Sequence, residues 1–212
     1  MISRLFPVLP IAALAACSPA AQPQDELPEQ LRDTQAVVTL PDGPPEDCLL
    51  MVWSNQEERD VEFDRANDAV EGGAISCATG TSASQFRAAI ASLREAARSG
   101  DKARILEQLG IPLLYIDAEG ERRELSRDEI DTVFDEVFDA RMIEVLSRLD
   151  LADMTVETDG GGFFELGSLW LVVDKDGGRP RLMTVNRQAL DEALEAARDG
   201  AERKEGEELP QG

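Results

Sequence analysis

Phe163-Phe164-Glu165-Leu166-Gly167-Ser168-Leu169-Trp170-Leu171-Val172-Val173-Asp174 is the longest strand-like run in the chain, and its reading decides the fold. Alternation along a strand sends every second side chain to one face, which groups Phe164, Leu166, Trp170 and Val172 and sends Glu165 to the other. Turn residues bracket the run: Asp159-Gly160-Gly161-Gly162 before it and Asp176-Gly177-Gly178 after it. Met154–Thr158 and Arg181–Asn186 then pair with it as antiparallel neighbours. A sheet with one apolar face needs a helical layer to cover it. Ile130, Val133, Phe134, Val137 and Phe138 recur at helical spacing and supply that cover. The expectation is that Trp170 is buried against Phe134 or Phe138.

Upstream, Ser126-Arg127-Asp128-Glu129 matches a capping box at the start of this helix. Its stripe is interrupted at Asp139-Ala140-Arg141 and resumes with Met142, Val145, Leu146 and Leu149, so a kink or two short helices fit. Ile111 to Asp117 reads as a strand that turns at Glu119-Gly120 into Arg122–Leu125. Two helices precede it. The first is capped near Thr81–Ser84 with Phe86, Ile90, Leu93 and Ala97 on its apolar face; the second is capped by Asp101 with Ile105, Leu106 and Leu109. Further upstream the apolar runs Cys48–Trp53 and Ala74–Cys77 read as short strands, with a short helix between them in residues 56–71. Downstream, Ala189–Arg203 is a weakly amphipathic acidic helix with a polar, disordered tail.

The expected fold class is therefore α+β: a curved antiparallel sheet wrapped around helices, preceded by a small disulfide-stapled extension. The order helix, helix, hairpin, long helix, three strands carries Gly100-Asp101-Lys102, Ile111-Pro112-Leu113, Glu165-Leu166-Gly167-Ser168-Leu169-Trp170 and Val185-Asn186. In this it resembles the superfamily named after nuclear transport factor 2, over residues 84–188. That resemblance implies a cone-shaped scaffold, one that hosts isomerases, dehydratases, hydrolases and binding domains alike. It also implies a concave pocket, with Tyr115, Phe134, Phe164 and Trp170 as candidate lining; the plain alternative is that these aromatics fill the cone.

At the N-terminus, Arg4 is followed by the apolar run Leu5–Ala16, too short to cross a bilayer and suited to a signal peptide. Leu14-Ala15-Ala16-Cys17 resembles the lipobox of bacterial prolipoproteins. The resemblance implies loss of residues 1–16, a diacylglyceryl thioether on Cys17, and acylation of the new amino group, with palmitate as the usual acyl chain. Ser18 leans the address towards the outer membrane. The resulting organisation is a signal peptide (1–16), a Pro-rich tether (17–46) holding a short candidate edge strand at Val37–Leu40, the extension (47–83), the cone (84–188), and the acidic helix and tail (189–212). Export would place Cys48 and Cys77 in an oxidising compartment, where a disulfide is the expected state.

Composition excludes several chemistries. The formal charge is −22, and removing Arg4 with the signal peptide (−22 − 1) leaves −23. Nucleic acid is therefore not an expected partner, since phosphate binding needs clustered Lys and Arg. The chain has no histidine, which removes Ser-His-Asp and Cys-His arrangements and leaves zinc without its usual ligands. No metal site and no cofactor is expected. Asp174-Lys175-Asp176-Gly177 has a calcium-loop spacing but lacks the remaining ligands, so a hairpin turn is the reading. Two functional classes stay open. One is a membrane-anchored, periplasm-facing lipoprotein of the cell envelope with a non-catalytic binding or structural role, its partner an envelope protein or small apolar ligand. The other is a small cone-type enzyme using Tyr115 with carboxylates drawn from Asp117, Asp153 and Glu165.

Overall fold

Leu49, Val52 and Trp53 are buried while Leu50 and Met51 face outward, which is the i, i+3, i+4 signature of a helix rather than the alternation of a strand. The structure, a computed structural model, describes residues 46–158, 160–173 and 178–207. The described residues belong to one compact unit that spans Pro41–Gly212. The signal peptide, Cys17, the tether with Val37–Leu40, the turn residues Asp159 and Asp174–Gly177, and the tail after residue 207 lie outside the described residues.

The first expected strand is thus a helix, α1 (Glu46–Ser54), and the second is largely one too: β2 (Gly73–Ala74) passes at once into α3 (Ile75–Thr79). A short apolar run cannot be assigned by periodicity alone, and its environment decided both. Between them lie α2 (Val61–Asn67), capped by Asp60, and β1 (Ala69–Val70), which pairs with β2. Helix α3 has no side-chain cap of its own. Asp68 takes that role from outside, accepting from the backbone N–H of Ser76 at 2.8 Å and from its hydroxyl at 2.6 Å. Cys48 and Cys77 form the expected disulfide, which joins α1 to α3.

The extension shares the main core: Ile75 and Ala78 are buried in the same cluster as Phe86, Leu93 and Met154. It also touches the sheet edge, where Val156 N–H donates to Glu71 O at 2.8 Å. Gly72 makes that approach feasible. Its φ is +90°, and a Cβ there would sit 2.0 Å from Val156 O.

Helix α4 (Ala83–Ser99) is capped by Ser82 and ends in left-handed Gly100; α5 (Lys102–Leu106) is capped by Asp101. Strands β3 (Leu109–Ile116) and β4 (Arg122–Leu125) form the expected hairpin, with Leu109 in the strand rather than in the helix before it. The capping box at Ser126 and Glu129 opens α6 (Arg127–Thr132). The expected kink becomes two breaks, giving α7 (Phe134–Val137) and α8 (Ala140–Arg148). The second break has a local cause: Asp139 accepts from Met142 N–H and so starts a new helix.

Strands β5 (Thr155–Glu157), β6 (Gly161–Phe164), β7 (Leu169–Val172) and β8 (Arg181–Asn186) complete a six-stranded sheet of order β4-β3-β8-β7-β6-β5. Gly161 and Gly162 belong to β6 and not to the turn before it. The sheet is mixed, because β3 and β8 run parallel while the other pairs are antiparallel. The protein is an α+β fold, with this sheet packed against the helices and closed by α9 (Arg187–Glu207).

The single long strand is corrected. It breaks at Glu165-Leu166-Gly167, where φ is 46°, 55° and 89° in turn. Ser168 N–H donates back to Phe164 O at 3.0 Å, closing a tight connection between β6 and β7. The break reverses the chain and resets which side chains face inward. Phe164, Leu169 and Leu171 enter the core, Leu166 is 67% exposed, and Trp170 lies only partly buried on the other face against Phe163, ring centroids 4.7 Å apart. Trp170 does not pack on Phe134 or Phe138. Those two rings stack on each other instead, at 5.1 Å.

Candidate binding groove

Arg87, Ile90, Ala91 and Arg94 stand at i, i+3, i+4 and i+7 of α4, so they share one helix face. Opposite that face run Phe63, Ala66 and Asn67 of α2, then Ala69 and Val70, and the residues Asp150–Ala152 that follow α8. The cleft between them has a volume of about 500 Å³, within the range of small-molecule sites. Its floor is apolar, with Ile90 buried and Phe63 and Val70 partly so. Its two cations stand about 10 Å apart along the helix, from a rise of 1.5 Å per residue.

The arginines are held differently. Arg87 lies over the Phe63 ring, 3.6 Å from its centroid, and donates to Asp60 Oδ2 at 2.8 Å. The Arg87 hydrogen bond, with that from Phe63 N–H, holds the Asp60 carboxyl below its usual range. Arg94 donates through Nη1 to Leu149 O at 3.2 Å and stands 3.7 Å from Asp150 Oδ2. Asp150 is itself engaged in accepting from Ala152 N–H at 3.0 Å. The Nε of Arg94 is buried and has no acceptor among the described residues.

Buried aspartates fix the extension's side of the cleft. Asp64 is fully buried and accepts from Trp53 Nε1 at 2.8 Å and from Ser84 N–H at 2.7 Å, tying α1, α2 and α4 together. Ser82 adds to the junction by accepting from Gln56 Nε2 at 2.9 Å. A buried carboxylate is tolerated only where such donors surround it, so the node acts as a positioning device.

The residues singled out from sequence are dispersed. Asp153, Phe164 and Glu165 come together with Arg148, Leu149 and Asp150 around a smaller cavity of about 280 Å³, and Arg148 pairs with Glu165 at 3.4 Å. Asp117 organises the β3–β4 turn, accepting from Glu119 and Glu121 N–H at 3.1 and 2.8 Å. Tyr115 is 3% exposed in the core, with the Arg123 guanidinium 5.1 Å from its ring. Burial, aided by the Glu136 charge, pushes its hydroxyl pKa up. Phe134 and Trp170 are partly exposed, each against another ring. Tyr115 and Phe164 are core residues, and the four aromatics do not form one lining. Phe63, Arg87 and Arg94 were missed. The spacing of Arg87 and Arg94 on α4 was the available signal, but its opposite wall is remote in sequence.

Beside Tyr115, Arg187 donates to Asp139 Oδ2 at 2.7 Å. Burial alone would raise the Asp139 pKa, but the hydrogen bonds from Arg187 and Met142 N–H outweigh it and hold the carboxyl below its usual range. A depressed pKa stabilises the fold above the unfolded carboxylate value of about 3.9 and loses that contribution as pH falls through the folded value. Asp139→Asn, which can still cap α8, is expected to lower the urea midpoint at pH 5–7, and the gap from the wild type to narrow as the pH is lowered below about 4. An unchanged gap across this range would contradict the assignment.

Among the described residues no group of carboxylates or cysteines could hold a metal ion, and no helix is long and apolar enough to cross a membrane. No protein-family model, no curated protein and no solved structure matches this chain.

Proposed function

We propose that this chain is a membrane-anchored lipoprotein of the bacterial envelope, facing the periplasm, with a non-catalytic binding role centred on the groove between α2 and α4. The observation that carries the reading is the groove itself: an apolar floor and a volume of about 500 Å³, walled by an extension that two buried aspartates and a disulfide hold in place. The interior of the sheet-and-helix body supports the same view. Leu113, Ile130, Phe138, Met142, Phe164, Leu169, Leu171 and Leu182 are each 3% exposed or less, so ligand space lies outside that core. The string Leu14–Cys17 and the oxidised pair Cys48–Cys77 support export and anchoring at Cys17, with Ser18 favouring the outer membrane. The element order supports the likeness to the cone-shaped superfamily of nuclear transport factor 2, which hosts binding domains among its members.

Two measurements test the proposal. Cys17→Ala should abolish palmitate labelling and leave an unprocessed precursor; a labelled, processed product would overturn the anchor. Nile red, an uncharged apolar dye, should bind the full chain saturably, and Ala91→Trp, on an exposed position of the groove wall, should remove that binding without changing the circular dichroism. Undiminished dye binding in Ala91→Trp would overturn the groove.

A further inference from the structure

The chain carries 43 acidic residues against 21 basic ones, yet this groove is bordered on its α4 side by two arginines with only the apolar Ile90 and Ala91 between them on the lining face. Each arginine faces one carboxylate: Asp60 accepts from Arg87 and from Phe63 N–H, while Asp150 accepts from Ala152 N–H through Oδ1 and stands 3.7 Å from Arg94 through Oδ2. The two guanidinium groups differ in how fully they are used. Arg87 has a carboxylate at hydrogen-bond distance and an aromatic ring beneath it. Arg94 has a backbone carbonyl at 3.2 Å, a carboxylate beyond hydrogen-bond reach at 3.7 Å, and a buried Nε with no acceptor among the described residues. A buried N–H without a partner costs free energy, and a guanidinium offers a fork that a carboxylate can satisfy with both oxygens. The Nε is enclosed, but the Arg94 side chain is 34% exposed where it lines the cleft, so a ligand oxygen meets the terminal nitrogens of the guanidinium from the cleft side.

From this geometry we infer that the groove takes an apolar monocarboxylate, its acid head on Arg94 and its hydrocarbon body along Ile90 and Ala91 towards Phe63. The inference rests on the groove's being the binding site, and it adds the charge and polarity of the ligand. The apolar body supplies affinity by burial against the floor. The head supplies orientation and selection, because a cation placed at Arg94 is repelled and an alcohol leaves the fork unfilled.

Equilibrium dialysis of the full chain against radiolabelled decanoate, decanol and decylamine tests the assignment. Decanoate should bind one equivalent, decanol about tenfold or more weakly, as expected for loss of a charge-assisted hydrogen bond, and decylamine weakest of the three. Arg94→Gln should collapse the ratio of decanoate to decanol binding to about one, and Arg94→Lys should restore part of the preference. Ala91→Trp should remove decanoate and decanol alike. If decanol equals decanoate, or Arg94→Gln leaves their ratio intact, the anion assignment falls while the groove stands. Decanoate binding that survives Ala91→Trp belongs elsewhere on the chain and overturns both. An unchanged circular dichroism spectrum of Arg94→Gln shows that the variant is still folded.

Discussion

Phe164→Ala is expected to destabilise the protein by about 3–5 kcal/mol, and Trp170→Ala by clearly less, although tryptophan is the larger residue. Phe164 is 2% exposed at the end of β6, opposite Leu169 in the ladder, and removing its ring leaves a void that the neighbouring backbone cannot close. Trp170 pairs with Phe163 on the outer face and keeps part of its surface in water, so truncation there loses contacts without opening an internal cavity. For a chain of this size the Phe164→Ala cost corresponds to a fall in melting temperature of roughly 6–20 °C. Calorimetry of the two variants checks the order directly. If Trp170→Ala proves the more damaging, the assignment of Phe164 to the core and Trp170 to the outer face is overturned.

Removal of the disulfide is the second large effect. Cys48 and Cys77 are 29 positions apart, and closing a loop of that length stabilises by roughly 3–4 kcal/mol in the chain-entropy model. Part of that effect acts on the unfolded chain, which the cross-link confines. The folded state depends on it too. Helix α1 has Leu49, Val52 and Trp53 as its buried contacts, and Trp53 in turn donates to the buried Asp64 of α2, the helix that walls the groove. The Cys48→Ser/Cys77→Ser double variant should therefore melt earlier and bind Nile red more weakly. Reduction of the wild type should reproduce both changes, since Cys77 is exposed and reachable by a dithiol. Equal urea midpoints with and without reductant would show that the pair contributes nothing to stability.

What the sequence determined by itself was everything written in local signals. The cap within Thr81–Ser84, the caps at Asp101 and Ser126, the capping box to Glu129, and the strands 122–125 and 181–186 were legible because each depends on a few adjacent residues. Two cysteines beyond the lipobox made the disulfide legible as well. The α+β class followed from the order of those elements.

Tertiary structure decided the rest. Residues 46–54 and 75–79 are helices because their apolar positions find cover on one side of a helix, a choice that a short apolar run leaves open. The face of Trp170 turned on three consecutive left-handed residues, of which only Gly167 advertises that conformation; Glu165 and Leu166 adopt it because the β6–β7 pairing holds them there. The groove lies furthest from sequence. Its walls come from α2, α4 and the segment after α8, and the arginines on α4 read as an ordinary solvated face until folding brings Phe63, Val70 and Leu151 across from them. Side-chain periodicity records which way a residue points, whereas a binding site also needs to know what it points at, and that is fixed only when distant elements pack.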